Sequence, residues 1–202
     1  EYYPSNGEVI SVSGFYKKFL NPIESKAVVG TSGSTFSFAN AYQSDVVGVE
    51  LEVKKSFVNA KNYFFKHFGL LANASYIYSK VNLGKENVGQ SDNRPLQGQS
   101  PYSVNAGIFF EDKELGLQAN LLYNVIGKRI AFVGTDDNPD IYEMPRHSLD
   151  FNIQYRFKKN VELSLSANDM VNQSILFIQD GNRDKKWSRK NDQIFQKYKP
   201  GK

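Results

Sequence analysis

Apolar and polar residues alternate one by one along most of this sequence. In residues 147–157 every second side chain from Leu149 to Phe157 is apolar, and polar side chains lie between them. Val161–Ala167 repeats the pattern after a polar stretch at 158–160. Because successive side chains of a β-strand point to opposite faces, this alternation predicts a β-hairpin with one apolar and one polar face.

Five further segments alternate in the same way and bring the predicted strands to seven: 8–19, 47–54, 69–79, 102–110 and 115–124. Helical periodicity is absent, and only residues 59–67 are ambiguous. The connections also alternate in length. Those near 57–67, 111–114 and 158–160 are short or moderate, whereas four are long and polar, near 20–43, 80–101, 126–146 and 171–200. The sequence therefore predicts an all-β, antiparallel up-and-down meander with its long loops at one end.

Aromatic side chains collect at the ends of the predicted strands. Tyr102 and Phe110 bracket one strand, and Tyr155 and Phe157 close another. Aromatic girdles around an apolar band, with short turns at one end and long loops at the other, are typical of outer-membrane barrels. Two alternatives stay open. One is a soluble, secreted β-sandwich that binds carbohydrate. The other is an eight-stranded membrane barrel, for which the charged residues 186–198 would supply a poor last strand.

Composition narrows the function classes further. The 202 residues contain no cysteine and two histidines, His67 and His147, which excludes thiolate-ligated metals and a histidine-rich centre. We therefore expect neither a metal nor a cofactor. The net charge of +4 is mild and mostly scattered, so no nucleic-acid partner is expected. No apolar run is long enough for a transmembrane helix.

Catalysis is not expected. His147, Ser148 and Asp150 are the residue types of a nucleophilic triad. In a strand, however, Ser148 and Asp150 share one face while His147 points to the other, and a triad needs mutual hydrogen bonds. We therefore predict that the protein is not an enzyme.

One motif connects the pattern to a known family. Residues 93–102 read NRPLQGQSPY and are followed by Asn105 and Ala106. This segment resembles a signature of TonB-dependent outer-membrane receptors of the Bacteroidetes type. The resemblance continues in the family's order through 122–134, 145–150 and 192–201, and upstream through 14–24 and 48–52.

The resemblance implies that residues 1–202 are the C-terminal portion of a 22-stranded transmembrane barrel, without its N-terminal plug and last strand. It implies a receptor in the outer membrane of a Gram-negative bacterium, with the long loops outside. Such a receptor imports a scarce large solute, a siderophore, cofactor or oligosaccharide, with energy transmitted by TonB. The implied partners are outer-membrane lipid, the TonB complex through the plug, and a surface lipoprotein.

Two groups of residues are candidates for binding. Arg94, Gln97 and Gln99, together with Trp187, would line the ligand vestibule. The alternative is that the motif fixes a loop and a strand start, because Pro95 and Pro101 restrict the backbone. The basic tract would contact lipopolysaccharide phosphates or an anionic ligand, the alternative being a solvated loop. The tract consists of Arg183, Lys185, Lys186, Arg189 and Lys190.

Overall fold

The structure is a computed structural model that describes residues 1–31, 33–84, 94–135, 138–157, 161–184, 186–188 and 190–200. These residues form thirteen β-strands, numbered here along the chain, and one 3₁₀ turn, Phe65–His67. The turn lies inside the stretch 59–67 whose periodicity was ambiguous. None of the described residues belong to a helix long and apolar enough to span a membrane.

Seven long strands form one antiparallel sheet, the wall sheet, and each pairs with the next of the seven along the chain. The predicted meander is thus confirmed, strand for strand. The strands are β1 (Val9–Leu20), β4 (Gln43–Ser56), β5 (Phe68–Asn82), β6 (Tyr102–Asp112), β7 (Leu117–Ile126), β10 (Arg146–Phe157) and β11 (Val161–Ala167).

Six shorter strands lie within three of the long connections, where the sequence predicted loops. β2 (Ile23–Gly30) and β3 (Gly33–Asn40) form a hairpin. A four-stranded sheet, the loop sheet, has the order β13-β12-β9-β8. Its strands are β8 (Arg129–Phe132), β9 (Ile141–Glu143), β12 (Ile175–Gln179) and β13 (Gln193–Tyr198). Because β13 pairs with β12 and not with β11, residues 186–198 do not extend the meander, which removes the support for an eight-stranded barrel.

The connections of the wall sheet alternate between its two ends because neighbouring strands are antiparallel. The long connections lie at one end of the sheet, the long-loop end. The turns after β4 and β6 lie at the opposite end, the short-turn end. The predicted turn at 158–160 lies outside the described residues. Strand β7 begins two residues later than predicted, because the Asp112 side chain accepts N–H bonds from Glu114 and Leu115, both at 3.0 Å, and holds the turn closed.

Strand register gives the wall sheet one apolar and one polar face. An apolar row crosses five strands and consists of Phe68, Phe110, Ala119, Ile153 and Leu165. The adjacent row, on the other face, consists of Gly69, Phe109, Asn120, Asn152 and Ser166.

Large side chains on the apolar face are open to the surroundings. Leu165 is 65% exposed, Leu163 63% and Val12 66%. No sheet packs against this face among the described residues, whereas a soluble sandwich would bury it. Soluble monomers rarely leave so large an apolar surface uncovered. The soluble sandwich is therefore disfavoured.

Gly116 tests the geometry of the short-turn end. Its φ of 67° is left-handed, and a Cβ there would lie 2.7 Å from the Arg156 carbonyl oxygen. We expect Gly116→Ala to destabilise the fold by about 1–3 kcal/mol in guanidinium unfolding of the detergent-refolded protein. Gly7→Ala is the control, since Gly7 has a φ of 81° but nothing within 4 Å of its Cβ. Equal losses for both variants would contradict the proposed contact with β10.

Candidate functional site

The most deeply buried apolar cluster of the described residues lies at the long-loop end, not in the wall. Ile130, Val133, Tyr142 and Ile178 are at most 5% exposed and pack together. They come from the loops 126–146 and 171–200, so the loop sheet has a core of its own. Such a core gives these two loops a fixed mutual arrangement, unlike loops that move independently.

A buried ion pair connects the first two long loops. Arg94, from the NRPLQGQSPY motif, donates from Nη1 and Nη2 to the two carboxylate oxygens of Glu24 at 2.7 and 2.6 Å. Both side chains are at most 2% exposed. Paired, parallel hydrogen bonds of this kind fix orientation as well as distance. The pair therefore holds the start of β2 against the segment that precedes β6.

Gln97 fills the gap between β2 and β8. Its Oε1 accepts a hydrogen bond from the Ser25 backbone N–H at 2.5 Å. Its Nε2 donates to the Ser25 carbonyl at 3.2 Å and to the Ala131 carbonyl at 2.5 Å. The side-chain amide thus occupies the position that a peptide group would take in a continuous β-ladder.

Direct contacts complete the connection between these strands. The Val133 N–H donates to the Ser25 carbonyl at 3.0 Å, and the Phe36 and Phe132 rings lie 5.0 Å apart. On the far side, an Arg183 guanidinium nitrogen donates to the Thr135 carbonyl at 3.2 Å. All four long loops therefore form one connected surface, the loop platform, built from the β2–β3 hairpin, the motif at 94–102 and the loop sheet.

Polar contacts hold the rim of the platform. Arg129 pairs with Glu143 across β8 and β9, with Nη2 2.7 Å from the carboxylate. Asp192 accepts backbone N–H bonds from Gly181 at 3.1 Å and Ser188 at 2.6 Å, which closes the loop between β12 and β13. Burial, with the nearby Asp140 carboxylate, raises the pKa of the Tyr142 hydroxyl above its ordinary value.

The structure shows where each predicted ligand contact lies. Arg94 and Gln97 are committed to Glu24 and to backbone groups, an arrangement that fits the alternative in which the motif fixes the loop. Within the described residues, Gln99 donates only to the carbonyl of its neighbour Ser100, at 2.9 Å. Trp187 is partly buried against the core of the loop sheet. Contact of these four residues with a ligand stays a prediction.

The basic tract lies on the loop between β12 and β13. Arg183, Lys186 and Lys190 are exposed, and Lys185 and Arg189 lie outside the described residues. Asp184 accepts the Lys186 backbone N–H at 2.7 Å, and this bond lowers the pKa of the Asp184 carboxyl. The tract thus combines positive side chains with a turn that the Asp184 side chain holds in place. Its contact with lipopolysaccharide also stays a prediction.

Hydrogen-bonded amides line the polar face of the wall. Asn105 donates to Asn73 at 2.8 Å and accepts from Asn124 at 2.5 Å. In the next row on the same face, the Ser75 and Ser103 hydroxyls lie 2.8 Å apart. Alternation predicted the face of these residues, but pairing across three strands depends on register, which no single segment of sequence reveals.

The three triad-type residues do not converge. His147 Nδ1 lies 2.6 Å from the Tyr123 hydroxyl on the apolar face. Ser148 and Asp150 lie on the polar face, where the Ser148 hydroxyl donates to Asp150 at 3.4 Å. Ser148 and His147 therefore do not form the hydrogen-bonded pair that nucleophilic catalysis needs.

Comparison with known proteins identifies the family. The family model described as TonB dependent receptor-like, beta-barrel matches residues 1–170. The chain belongs to this family, as the NRPLQGQSPY motif predicted. No curated protein matches the sequence.

Two solved transporters share the fold. The copper transporter OprC has a TM-score of 0.59 and 18% identity, over 87% of this chain and 25% of its own. The outer membrane transporter YddB from Escherichia coli has a TM-score of 0.53 and 10% identity, over 86% of this chain and 28% of its own. The chain thus spans about a quarter of the length of these transporters, and the likeness is one of fold.

The buried ion pair predicts an asymmetric response to mutation. Arg94→Met leaves the Glu24 carboxylate buried and unpaired, at an expected cost of about 3–5 kcal/mol. The loop platform should then become sensitive to limited proteolysis at the long-loop end. Arg94→Met combined with Glu24→Leu removes both charges and should recover most of the resistance. If the double variant is as sensitive as the single one, charge pairing is not what holds the loops.

The hydrogen bonds that the Gln97 amide donates predict a second loss of stability on mutation. Gln97→Glu places a carboxylate against the Ser25 and Ala131 carbonyls, which lose their donor, and should cost about 1–3 kcal/mol. Thermal unfolding in detergent measures the loss. Gln99→Glu makes the same chemical change in the same motif and should cost less, since the bond that the structure describes for the Gln99 amide goes to a neighbouring carbonyl. Comparable shifts for the two variants would contradict the bridging role of Gln97.

Proposed function

We propose that this chain forms part of the wall and the outer loops of an outer-membrane receptor that imports a scarce large solute. The solute is a siderophore, a cofactor or an oligosaccharide, and TonB supplies the energy. The wall belongs to a barrel of 22 strands in a Gram-negative bacterium, of the Bacteroidetes type. A plug from another part of the receptor contacts the TonB complex, and a surface lipoprotein assists capture.

The observation that carries this proposal is the division of the wall sheet into two faces. Leucine, valine and aromatic side chains are exposed on one face, and hydrogen-bonded asparagine and serine side chains lie on the other. A barrel whose outside meets hydrocarbon and whose inside holds water or a plug needs this division in every strand. Membership of the receptor family supports the same arrangement.

The loop platform would supply the capture surface. The long loops lie outside the cell, as is usual for barrels of this kind, with short turns in the periplasm. Arg94, Gln97, Gln99 and Trp187 are the proposed ligand-binding region, with Arg94 and Gln97 acting by holding the platform in shape. A platform fixed before the solute arrives loses less conformational entropy on binding than four independent loops would.

The basic tract would face the anionic surface of the cell. Arg183, Lys186 and Lys190, with Lys185 and Arg189, would contact lipopolysaccharide phosphates at the rim of the platform. Arginine and lysine form charge-assisted hydrogen bonds with phosphate oxygens, which supports this assignment.

Substitutions on neighbouring positions of β11 test the division of faces. Leu165→Lys places a charge on the lipid side and should cost about 2–4 kcal/mol near the bilayer midplane. We expect loss of the heat-modifiable, assembled receptor from outer-membrane fractions. Ser164→Lys, on the polar face, should assemble normally. Ile153→Lys and Asn152→Lys on β10 form a second matched pair, and equal tolerance at both positions of each pair would overturn the proposal.

A further inference from the structure

We propose that Asn6 is a deamidation site, at which asparagine converts spontaneously to isoaspartate and releases residues 1–3 from the edge of β1. Asparagine is one of the thermolabile residues of proteins. It reacts most readily when glycine follows it, because a side chain on the next residue hinders the attacking nitrogen. Asn6 is the only asparagine of the sequence that a glycine follows. The site lies in a turn at the short-turn end and is independent of the proposed transport function.

Asn6 and Gly7 occupy the tip of this turn. The Glu8 N–H donates to the Ser5 carbonyl at 3.0 Å and closes the turn. Gly7 has a φ of 81°, which is the value expected at the third residue of a type II turn. Apart from its chain neighbours, no atom lies within 4 Å of the position that a Cβ of Gly7 would take. The surroundings of the Gly7 nitrogen are therefore open.

Both reacting groups are accessible to water. Asn6 and Gly7 are exposed, and in the part of the chain that the structure describes no hydrogen bond engages the Asn6 amide or the Gly7 N–H. Asn62 provides a contrast, because it is also an exposed turn asparagine. Its Oδ1 accepts the Phe64 N–H at 2.9 Å, and the bulky Tyr63 follows it. The structure therefore favours reaction at Asn6 over reaction at Asn62.

The reaction needs water as its only co-reactant. The backbone nitrogen of Gly7 attacks Cγ of Asn6 and forms a five-membered succinimide ring. The Cγ–Nδ2 bond breaks, and the amide nitrogen leaves as ammonia with the proton that the Gly7 nitrogen gives up. Water then opens the ring at one of its two carbonyls, which leaves aspartate or isoaspartate. The net change exchanges one ammonia for one water, and nothing is oxidised or reduced.

The turn aligns residues 1–3 with β1. Tyr2 and Ile10 exchange two backbone hydrogen bonds, each 2.8 Å long. Isoaspartate adds one backbone atom to the turn between these residues, together with a new carboxylate. The buried Glu8 carboxylate is paired with Lys55 at 2.8 Å, so the new carboxylate competes with Glu8 for that cation. Both changes oppose the present form of the turn, and the pairing of Tyr2 with Ile10 should be lost.

The test ages the purified full-length receptor in detergent at mildly alkaline pH and follows the peptides that contain Asn6 and Asn62 by mass spectrometry. We expect Asn6 to exchange ammonia for water several-fold faster than Asn62, and fragmentation to assign the main product as isoaspartate. Asn6→Gln is the matched control and should stay unmodified, because its longer side chain closes the ring poorly. Equal rates at Asn6 and Asn62, or conversion of Asn6 only after unfolding, would overturn the site.

Hydrogen exchange measures the consequence. In the aged receptor the Tyr2 and Ile10 amides should exchange faster than in the fresh receptor, while amides in the middle of β4 keep their protection. Asn6→Gln should show no such change on ageing. Asn6→Asp adds the charge without the backbone atom and should lose less protection than the aged receptor. Conversion of Asn6 with unchanged exchange at Tyr2 and Ile10 would overturn the release of residues 1–3, and full loss in fresh Asn6→Asp would overturn the role of the added atom.

Discussion

The arrangement of the long loops depends on one buried ion pair. Arg94 and Glu24 are 70 residues apart in the sequence, and their side chains are almost fully removed from solvent. Desolvating two charges is costly, and the cost is offset only when geometry and hydrogen bonding are both favourable. The two parallel hydrogen bonds supply the geometry, and Glu24 also accepts the Gln97 backbone N–H at 3.3 Å, whereas Arg94 Nε has no hydrogen-bond partner among the described residues. The parallel hydrogen bonds also fix the position from which Gln97 reaches β2 and β8, so the ion pair determines where three of the four loops meet.

A second constraint, strand register, organises the rest of the chain. The wall sheet has no covering layer among the described residues, and its largest apolar side chains point outward. Its stability as a wall thus depends on what surrounds it, which in the proposed barrel is lipid at one face and polar groups at the other. The loop platform is different, because Ile130, Val133, Tyr142 and Ile178 provide a small core like that of a soluble domain. The chain therefore combines two folding environments.

The sequence predicted the wall well because period-two alternation depends only on local residues. Each long strand repeats it for seven or more positions, and seven strands were predicted in their observed order. The strands of the loop sheet were missed for two physical reasons. Strand β9 has only three residues, too few for a period, and the pairings of β12 and β8 contain register shifts at Phe177/Ile178 and Ile130/Phe132. Irregular pairing of this kind follows from tertiary contacts, not from a local pattern.

The candidate site was predictable only in part. The motif around Arg94 was identified from its resemblance, and its two prolines suggested a structural role. Its partner Glu24 lies in the stretch 14–24 that also resembles the family, but no local pattern pairs it with Arg94, since a glutamate in a long loop is usually solvated. Trp187 illustrates the same difficulty. A tryptophan beside a basic tract suggests a ligand contact, yet its ring packs against a core whose members come from two distant loops.

Site-directed spin labelling along β11 tests most directly whether the apolar face of the wall sheet meets lipid. This chain contains no cysteine, so it has no native site that would compete for the label. Single cysteines at positions 162–166 of the full-length receptor in bilayers would each carry a nitroxide. If the apolar face meets lipid, collision with oxygen, which concentrates in lipid, peaks at Leu163 and Leu165. Collision with a water-soluble nickel chelate should peak at Glu162, Ser164 and Ser166. Uniform accessibility to the nickel chelate, or no alternation between neighbours, would contradict a lipid-facing wall.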